Sequence, residues 1–206
     1  MIYMLNLENK NLDVESTAKV AIEDVDSLKT LLAGILSKDD IVRSNSFESL
    51  LFLSKMDPEF LYLHWDFFKE MLYSKNNYSK YISVYILANL TLVDDENKFE
   101  EIFEDYFALL GGTRAMISSH VALNSAVIFR NKPDLRPEIL NKLLDIDNIH
   151  EGKQIEMIKS YVIGALSDIY NLIDDKKSIG EFVKNQRDSK SPKTRKMADE
   201  FLNQRG

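Results

Sequence analysis

The sequence predicts an all-α protein in which about five helix pairs stack into a solenoid. Three observations predict this fold. Apolar residues recur at helical spacing, the pattern itself recurs about every 38 residues, and turn formers are scarce, with seven glycines and four prolines in 206 residues. Because all-β folds need many tight turns, this scarcity favours long helices over many short strands.

Composition sets the broad class of the protein. Hydrophobic residues make up 45% of the chain, and a chain of this length buries roughly 70% of its unfolded surface, which is ample for a single folded unit. Length alone permits one large domain or two small ones, and we expect one domain spanning residues 1–206. The absence of cysteine excludes disulfides, thiolate zinc sites and cysteine nucleophiles. Neither a secretory signal nor a run of about 18 apolar residues is found, so we expect a cytoplasmic protein without a membrane span.

The repeat is defined by a basic or polar residue followed by apolar residues at helical intervals. In the first copy, Arg43 is followed by Phe47, Leu50 and Leu53. These spacings place the apolar side chains on one face of a helix, whereas a strand would need alternation. The other copies begin at Lys80, Ser119, Lys159 and Arg195, so successive copies lie 37, 39, 40 and 36 residues apart. We call the helices built on these five segments the anchored helices.

A leading helix is predicted before each anchored helix. These five segments span residues 27–37, 58–74, 97–110, 135–145 and 176–187. Asp57 before Pro58 is typical of a helix cap followed by proline at the first helical position. Gly111-Gly112 ends the third leading helix, where we expect a left-handed residue. The run 94–96 (Asp-Asp-Glu) is expected to open that helix, since carboxylates favour the positive end of the helix dipole.

The leading helices are too apolar to be covered by one partner helix. Segment 58–74 carries Leu61, Trp65, Phe68 and Met71 together with further apolar side chains. Stacking the pairs side by side buries both flanks, which is why such units are stable only as arrays. Residues 1–26 break the pattern, and a short helix over 14–23 is expected to cap the array. The repeats then occupy residues 27–206.

These segments resemble HEAT repeats, most clearly at 42–50 and 159–166 with the leading helices before them. In that family an Asp in the turn within a repeat and an Arg or Lys early in the second helix form a ladder between neighbours. Asp40 and Arg43 match this device, whereas Ser119 departs from it in the third repeat. The basic half of the device recurs at Lys80, Lys159 and Arg195.

The resemblance covers about residues 27–206 and implies a right-handed α-α superhelix. It implies scaffolding and protein binding as the usual activity, and it implies no catalytic residues. Related armadillo-like or other paired-helix arrays remain alternatives.

No motif in the sequence predicts catalysis, a cofactor or a metal. His150-Glu151 is the one His-Glu dipeptide, and residue 154 is Gln where a helical zinc protease needs a second histidine. The acidic run 94–105 lacks the glycine and the alternating oxygen ligands of a calcium loop. We therefore predict a non-enzymatic protein without metal or cofactor, and a HEAT-like enzyme of unknown reaction is a lesser alternative.

We expect a partner protein or peptide on the concave face, which the anchored helices usually line in such solenoids. Alignment of the repeats directs nine side chains outward, and these are the predicted contacts: Ser44, Glu48, Tyr81, Tyr85, Asn89, His120, Asn124, Ser160 and Asp168. Tyr81 and Tyr85 combine large contact area with a hydroxyl. An equal alternative is that these two rings pack against the neighbouring repeat.

The charge distribution disfavours nucleic acid and membrane partners. Formal net charge is -7 with a pI near 5.1, and an acidic surface repels phosphate backbones and anionic lipid. Residues 184–206 are the exception, with seven Lys and Arg against three Asp and Glu. This basic C-terminal helix pair supports the alternative of a nucleic-acid-associated module. Homo-oligomer formation stays open, because solenoid ends expose apolar faces unless they are capped.

Overall fold

The computed structural model describes residues 5–205, and residues 1–4 and 206 of the predicted domain lie outside this range. The described chain contains thirteen α-helices, four short 3-10 helices and no strand. The predicted all-α class is therefore confirmed. Among residues 5–205 no helix combines the length and the apolar character needed to cross a bilayer.

The helices are numbered in chain order. They are α1 (Val14–Glu23), α2 (Val25–Gly34), α3 (Asp40–Met56), α4 (Pro58–Tyr62), α5 (Trp65–Leu72), α6 (Asn77–Leu90), α7 (Lys98–Ala108), α8 (Ala115–Asn131), α9 (Arg136–Leu144), α10 (Ile146–Ile149), α11 (Ile155–Ile169), α12 (Lys176–Asn185) and α13 (Pro192–Arg205). The anchored helices are α3, α6, α8, α11 and α13. The leading segment expected at 58–74 is divided into α4 and α5, which are separated by Leu63 and His64.

The chain forms two compact units, residues 1–96 and 97–206. In the first unit α3 packs against α1, α2 and α6, and α5 packs against α6. In the second unit α11 packs against both α8 and α13, and α12 packs against α13. The expected cap helix, α1, has the predicted bounds and packs against α2 and α3. The assignment of 1–206 to a single domain stays a prediction.

Several helices begin where short polar side chains satisfy free backbone N–H groups. The Asp57 carboxylate accepts from the backbone N–H of Phe60, and Pro58 occupies the first helical position, which confirms the predicted start. Equivalent Asp or Asn caps precede α1, α2, α3, α6 and α12 at Asp13, Asp24, Asp39, Asn76 and Asp175.

The acidic run 94–96 does not open a helix, so that prediction is wrong. Helix α7 begins at Lys98 after Asn97, whose φ of 56° is the one positive value among the non-glycine residues described. Asp94 is buried instead, and its carboxylate accepts a hydrogen bond from the Tyr62 hydroxyl. A buried carboxylate needs such a donor, and this tertiary contact fixes Asp94 before the helix starts.

The expected left-handed residue at Gly111-Gly112 is also wrong, because no glycine in residues 5–205 has a positive φ. The close approach of neighbouring backbone is the better explanation for a glycine at position 111. A Cβ at this position would lie 2.9 Å from the carbonyl oxygen of Ile149. The Gly111 carbonyl also accepts from the backbone N–H of Glu151 at 3.2 Å. The glycine therefore lets the turn after α7 contact the segment after α10.

Each unit has its own apolar core. Trp65 and Phe68 are fully buried in the first unit, and Phe99, Tyr106 and Phe129 in the second. Complete burial of a large apolar side chain stabilises the fold by roughly 1.5–3 kcal/mol. These cores hold the helices on which the polar contacts below depend.

Hydrogen bonds connect residues one repeat apart. The guanidinium of Arg130 donates to the carbonyl of Asp168 at 3.0 Å, and Lys142 donates to Glu104 at 2.8 Å; both pairs are 38 residues apart. The same separation of 38 recurs in Asn45 to Leu7, Thr194 to Glu156 and Arg205 to Ser167. The anchors recur about every 38 residues, so the four pairs within residues 97–206 join equivalent positions of successive repeats. Leu7 lies in the segment before the repeats, and its bond joins that segment to α3.

The basic residues that open the anchored helices bond back to the preceding segment. Arg43 donates to the carbonyl of Ser37 at 3.0 Å, and Arg195 donates to that of Ser189 at 2.7 Å, each six residues earlier. Arg43 also pairs with Asp40 of its own helix. These bonds join the end of one helix to the start of the next.

Lys159 makes the corresponding contact in the fourth repeat with two carboxylates. Its ammonium lies 2.7 Å from Asp147 and 2.8 Å from Glu156, and its side chain is 8% exposed. Hydrogen bonds from Lys159 and then Ser189 hold the pKa of Glu156 below its usual range. A nearly buried ammonium needs such partners to offset its lost hydration.

Close helix packing in the first pair depends on small residues. A Cβ at Gly34 would lie 2.1 Å from Ser46 Oγ and 3.2 Å from Leu7 Cδ1. The Ser46 hydroxyl meanwhile donates to the Val42 carbonyl at 2.7 Å. Because Gly34 has no side chain, the end of α2 can lie directly against α3.

We expect Gly34→Ala to lower the free energy of unfolding by about 1–3 kcal/mol, because the added methyl overpacks the contact with Ser46. Urea denaturation measures this change. Gly180→Ala is the matched control: apart from its chain neighbours and its own helix backbone, no atom lies within 4 Å of its Cβ position, so it should stabilise α12 by up to about 1 kcal/mol through helix propensity. Stabilisation by Gly34→Ala would refute the close-packing interpretation.

We expect Lys159→Met to lower the free energy of unfolding by about 1–2 kcal/mol at neutral pH, because two carboxylates lose their shared cation. Lys196→Met removes a surface pair in which both side chains are more than half exposed, so it should cost less than about 0.5 kcal/mol. The comparison uses chemical denaturation at constant salt. Equal losses in the two variants would show that Lys159 is an ordinary surface charge.

Candidate functional site

The nine predicted contact residues differ in exposure. Ser44, Glu48 and Asp168 are exposed, and Tyr81, Tyr85, Asn89 and His120 are half-buried. Asn124 and Ser160 are buried, with 4% and 1% of their surface exposed. The structure thus divides the predicted stripe into an accessible group and an inaccessible pair.

The expected outward orientation of Asn124 and Ser160 is wrong. The Asn124 amide donates to the His120 carbonyl at 2.8 Å, and the Ser160 hydroxyl donates to the Met157 carbonyl at 2.7 Å. Short polar side chains that bond their own helix can be buried without an unsatisfied group. These two residues therefore support the anchored helices α8 and α11 and are not accessible to a partner.

An aromatic cluster lies on α3 and α6 in the first unit. The ring centroid of Phe47 lies 5.4 Å from that of Tyr81 and 5.8 Å from that of Tyr85, and the two tyrosine rings are 5.1 Å apart. Phe47 meets both rings edge to face, an arrangement worth about 0.5–1.5 kcal/mol per pair beyond area burial. All three side chains are half-buried, so the rings combine mutual packing with partial access to solvent.

Phe47 and Tyr81 of this cluster line an open depression of about 380 Å³, and Tyr85 lies beside Tyr81. We call this depression the α3–α6 groove, and it is lined by Asp40, Arg43, Ser44, Phe47, Glu48, Tyr78, Tyr81 and Ile82. The guanidinium of Arg43 lies over the exposed Tyr78 ring, 4.2 Å from its centroid. The groove therefore combines aromatic faces with charged groups of both signs.

Three of the predicted residues make supporting contacts in or near the groove. The Asn89 amide donates to the Ser54 hydroxyl at 2.8 Å, which joins α6 to α3 across 35 residues. The Ser44 hydroxyl lies 3.3 Å from the Glu48 carboxylate one helical turn away. Asn89 thus positions the two helices that carry the cluster, whereas Glu48 presents its charge to solvent.

Sequence reasoning missed five groove residues: Asp40, Arg43, Phe47, Tyr78 and Ile82. The helical spacing from Arg43 predicts Phe47 on the buried face of its helix, yet Phe47 is half-buried beside Tyr81. A signal was available, since Phe47 lies three residues from the outward position Ser44 and such residues share a helix face.

Two other predicted residues, His120 and Asp168, lie on α8 and α11, and α13 supplies a neighbour of this region. The ring centroids of His120 and Tyr161 are 6.1 Å apart, and the ammonium of Lys193 lies 3.8 Å from the Tyr161 centroid. Burial lowers the pKa of His120, and the positive charge of Lys193 lowers it further. Asp168 is exposed on the same unit, with its backbone carbonyl bonded to Arg130.

The side chains that line the α3–α6 groove are of types that can contact another molecule. Aromatic rings, two carboxylates and a guanidinium line an open groove, and these groups bind by packing, hydrogen bonds and charge. In the part of the chain that the structure describes, no three His, Asp or Glu side chains converge as metal ligands.

His120 should titrate below pH 6.5, the ordinary value for histidine. Lys193→Gln removes the nearby positive charge, so the pKa of His120 should rise toward that value because the imidazolium form is less disfavoured. Nuclear magnetic resonance titration of the imidazole protons measures both values. Lys196→Gln on the same helix is the control and should leave the titration unchanged. An unmoved pKa in Lys193→Gln would contradict the contact.

No family model, curated protein or solved structure matches this chain.

Proposed function

We propose that this protein is a non-enzymatic scaffold that binds a partner protein or peptide through the α3–α6 groove. The observation that carries the proposal is the cluster of Phe47, Tyr81 and Tyr85, which lies half-buried on two neighbouring anchored helices. Tyrosine rings contribute much of the binding energy at protein interfaces, because they offer large area at low entropic cost.

We also propose that the helix pairs form a right-handed, HEAT-like superhelix whose concave face includes this groove. Support comes from the polar contacts between residues 38 apart within residues 97–206, and from the bonds of Arg43 and Arg195 to the preceding segments. A regular array of this kind presents successive anchored helices along one face. A cytoplasmic location stays a prediction of the sequence.

A nucleic-acid role for the basic C-terminal segment is the second candidate, and the structure gives it less support. Of the seven Lys and Arg in 184–206, five contact other parts of the protein: Arg187 and Lys196 with carboxylates, Lys193 with a ring, and Arg195 and Arg205 with backbone carbonyls. Basic side chains with such internal contacts lose them, or must share them, when they bind phosphates.

We expect the double variant Tyr81→Ala, Tyr85→Ala to lose a partner that the wild type retains in affinity capture. Two aromatic contacts of this kind are worth enough to weaken binding about a hundredfold. Capture is compared by quantitative mass spectrometry with equal amounts of folded bait, verified by circular dichroism. Tyr73→Ala is the matched control, since Tyr73 is exposed in the same unit but lies outside the groove.

Partners that are captured equally by the wild type and the double variant would show that the groove is not the binding surface. Binding of duplex or single-stranded nucleic acid that weakens steeply with salt would favour the second candidate.

A further inference from the structure

We propose that the α3–α6 groove binds a Lys or Arg side chain from an extended basic segment of a partner protein, with the cation held between the Tyr81 ring and the Glu48 carboxylate. This inference rests on the proposed function, because it specifies which partner chemistry the same groove recognises.

The first argument is the distribution of charge along the chain. Residues 1–96 contain 16 Asp and Glu against 9 Lys and Arg, whereas residues 97–206 contain 17 of each. The whole net charge of -7 therefore belongs to the unit that carries the groove. A field of this sign attracts a cationic segment and repels an anionic one.

The second argument is the local arrangement of ring and carboxylate. Glu48, Phe47 and Tyr81 line the same depression, and Glu48 is exposed. The described residues give the Glu48 carboxylate a hydroxyl contact from Ser44 and no ion pair. A cation over an aromatic face is attracted by the ring, and a carboxylate beside that ring adds a charge-assisted hydrogen bond.

The third argument is that the groove already holds one cation in this way. The guanidinium of Arg43 lies 4.2 Å from the centroid of Tyr78, pairs with Asp40 and donates to the Ser37 carbonyl. Its side chain is only 13% exposed, so the ring and the carboxylate offset much lost hydration. Farther along the same helices, Glu48 follows Asp40 by eight residues and Tyr81 follows Tyr78 by three. Glu48 and Tyr81 thus supply a second carboxylate and a second ring to the same groove.

The positive charge of Lys10 disfavours cation binding at this site, and this allows a direct test of the proposal. Lys10 is exposed and lines an adjoining depression together with Asp40, Ser44 and Glu48. Its positive charge competes with an incoming cation for the Glu48 carboxylate. Neutralising Lys10 should therefore strengthen binding, whereas neutralising Glu48 should weaken it.

The experiment measures binding of a short synthetic peptide of alternating Arg and Ser to the full chain by fluorescence anisotropy, at low and at high salt. A peptide with citrulline in place of every Arg is the matched probe, because it keeps the size and removes the charge. We expect the arginine peptide to bind at least about tenfold tighter than the citrulline peptide at low salt, with the difference shrinking at high salt.

The variants test where the cation binds. Glu48→Gln should weaken arginine-peptide binding about five- to tenfold and Lys10→Gln should strengthen it two- to threefold, both by changing the local charge. Tyr81→Leu should also weaken it about fivefold, because leucine keeps an apolar side chain but lacks the ring face. Glu70→Gln removes an exposed carboxylate of the same unit outside the groove and should change binding less than twofold.

Several results would overturn the inference: equal binding of the arginine and citrulline peptides, equal effects of Glu48→Gln and Glu70→Gln, or tighter binding of an acidic peptide. Concentration-dependent self-association that Glu48→Gln abolishes would assign the groove to a second copy of this chain and would overturn the choice of partner. If capture is lost in the Tyr81→Ala, Tyr85→Ala double variant but retained in Glu48→Gln at high salt, the proposed function stands and this inference alone is refuted. Capture retained in all these variants would refute both.

Discussion

The anchored helices must be buried on more than one side, and most of the structure follows from this constraint. Helix α11 lies against both α8 and α13, and α3 lies against α1, α2 and α6. Apolar packing alone cannot bury such a helix without cost, because the backbone groups at its ends and the polar residues on its flanks need hydrogen-bond partners. The protein meets the requirement with hydroxyls and amides that bond nearby carbonyls, as Ser160 and Asn124 do, and with basic side chains such as Arg43 and Lys159 that reach the preceding segment.

The same constraint decides where a partner can bind. Where neighbouring helices cover an anchored helix, its polar side chains are used internally and are inaccessible. On α3 and α6 one side remains open, and it presents the aromatic cluster beside Glu48 and Arg43. A surface that combines aromatic rings with a solvated carboxylate can bind a flexible charged segment and release it, since each contact is moderate in strength. The binding function that we propose therefore uses the part of α3 and α6 that neighbouring helices leave exposed.

Much of the fold was predictable because helical periodicity reports burial directly. The five anchored segments each lie in one helix, and α1 has the predicted bounds, with Asp13 capping its start. Predictions failed where a tertiary contact overrode a local preference. Asp94 was expected to favour a helix start, but it is buried against Tyr62. The expected helix over 58–74 is divided at Leu63 and His64, because periodicity alone does not show where a continuous apolar run changes direction.

The sequence by itself determined the helical class, the repeat interval, the capped helix starts and the prominence of Tyr81 and Tyr85. These properties depend on spacing and residue chemistry within one helix or one turn, which the order of residues specifies directly. Tertiary structure alone decided that Asn124 and Ser160 are buried, that Asn89 joins α6 to α3, and that Phe47, Tyr78 and Arg43 share one groove with Glu48. Exposure and proximity between helices depend on which neighbours cover each face, and residues far apart in the chain supply that cover.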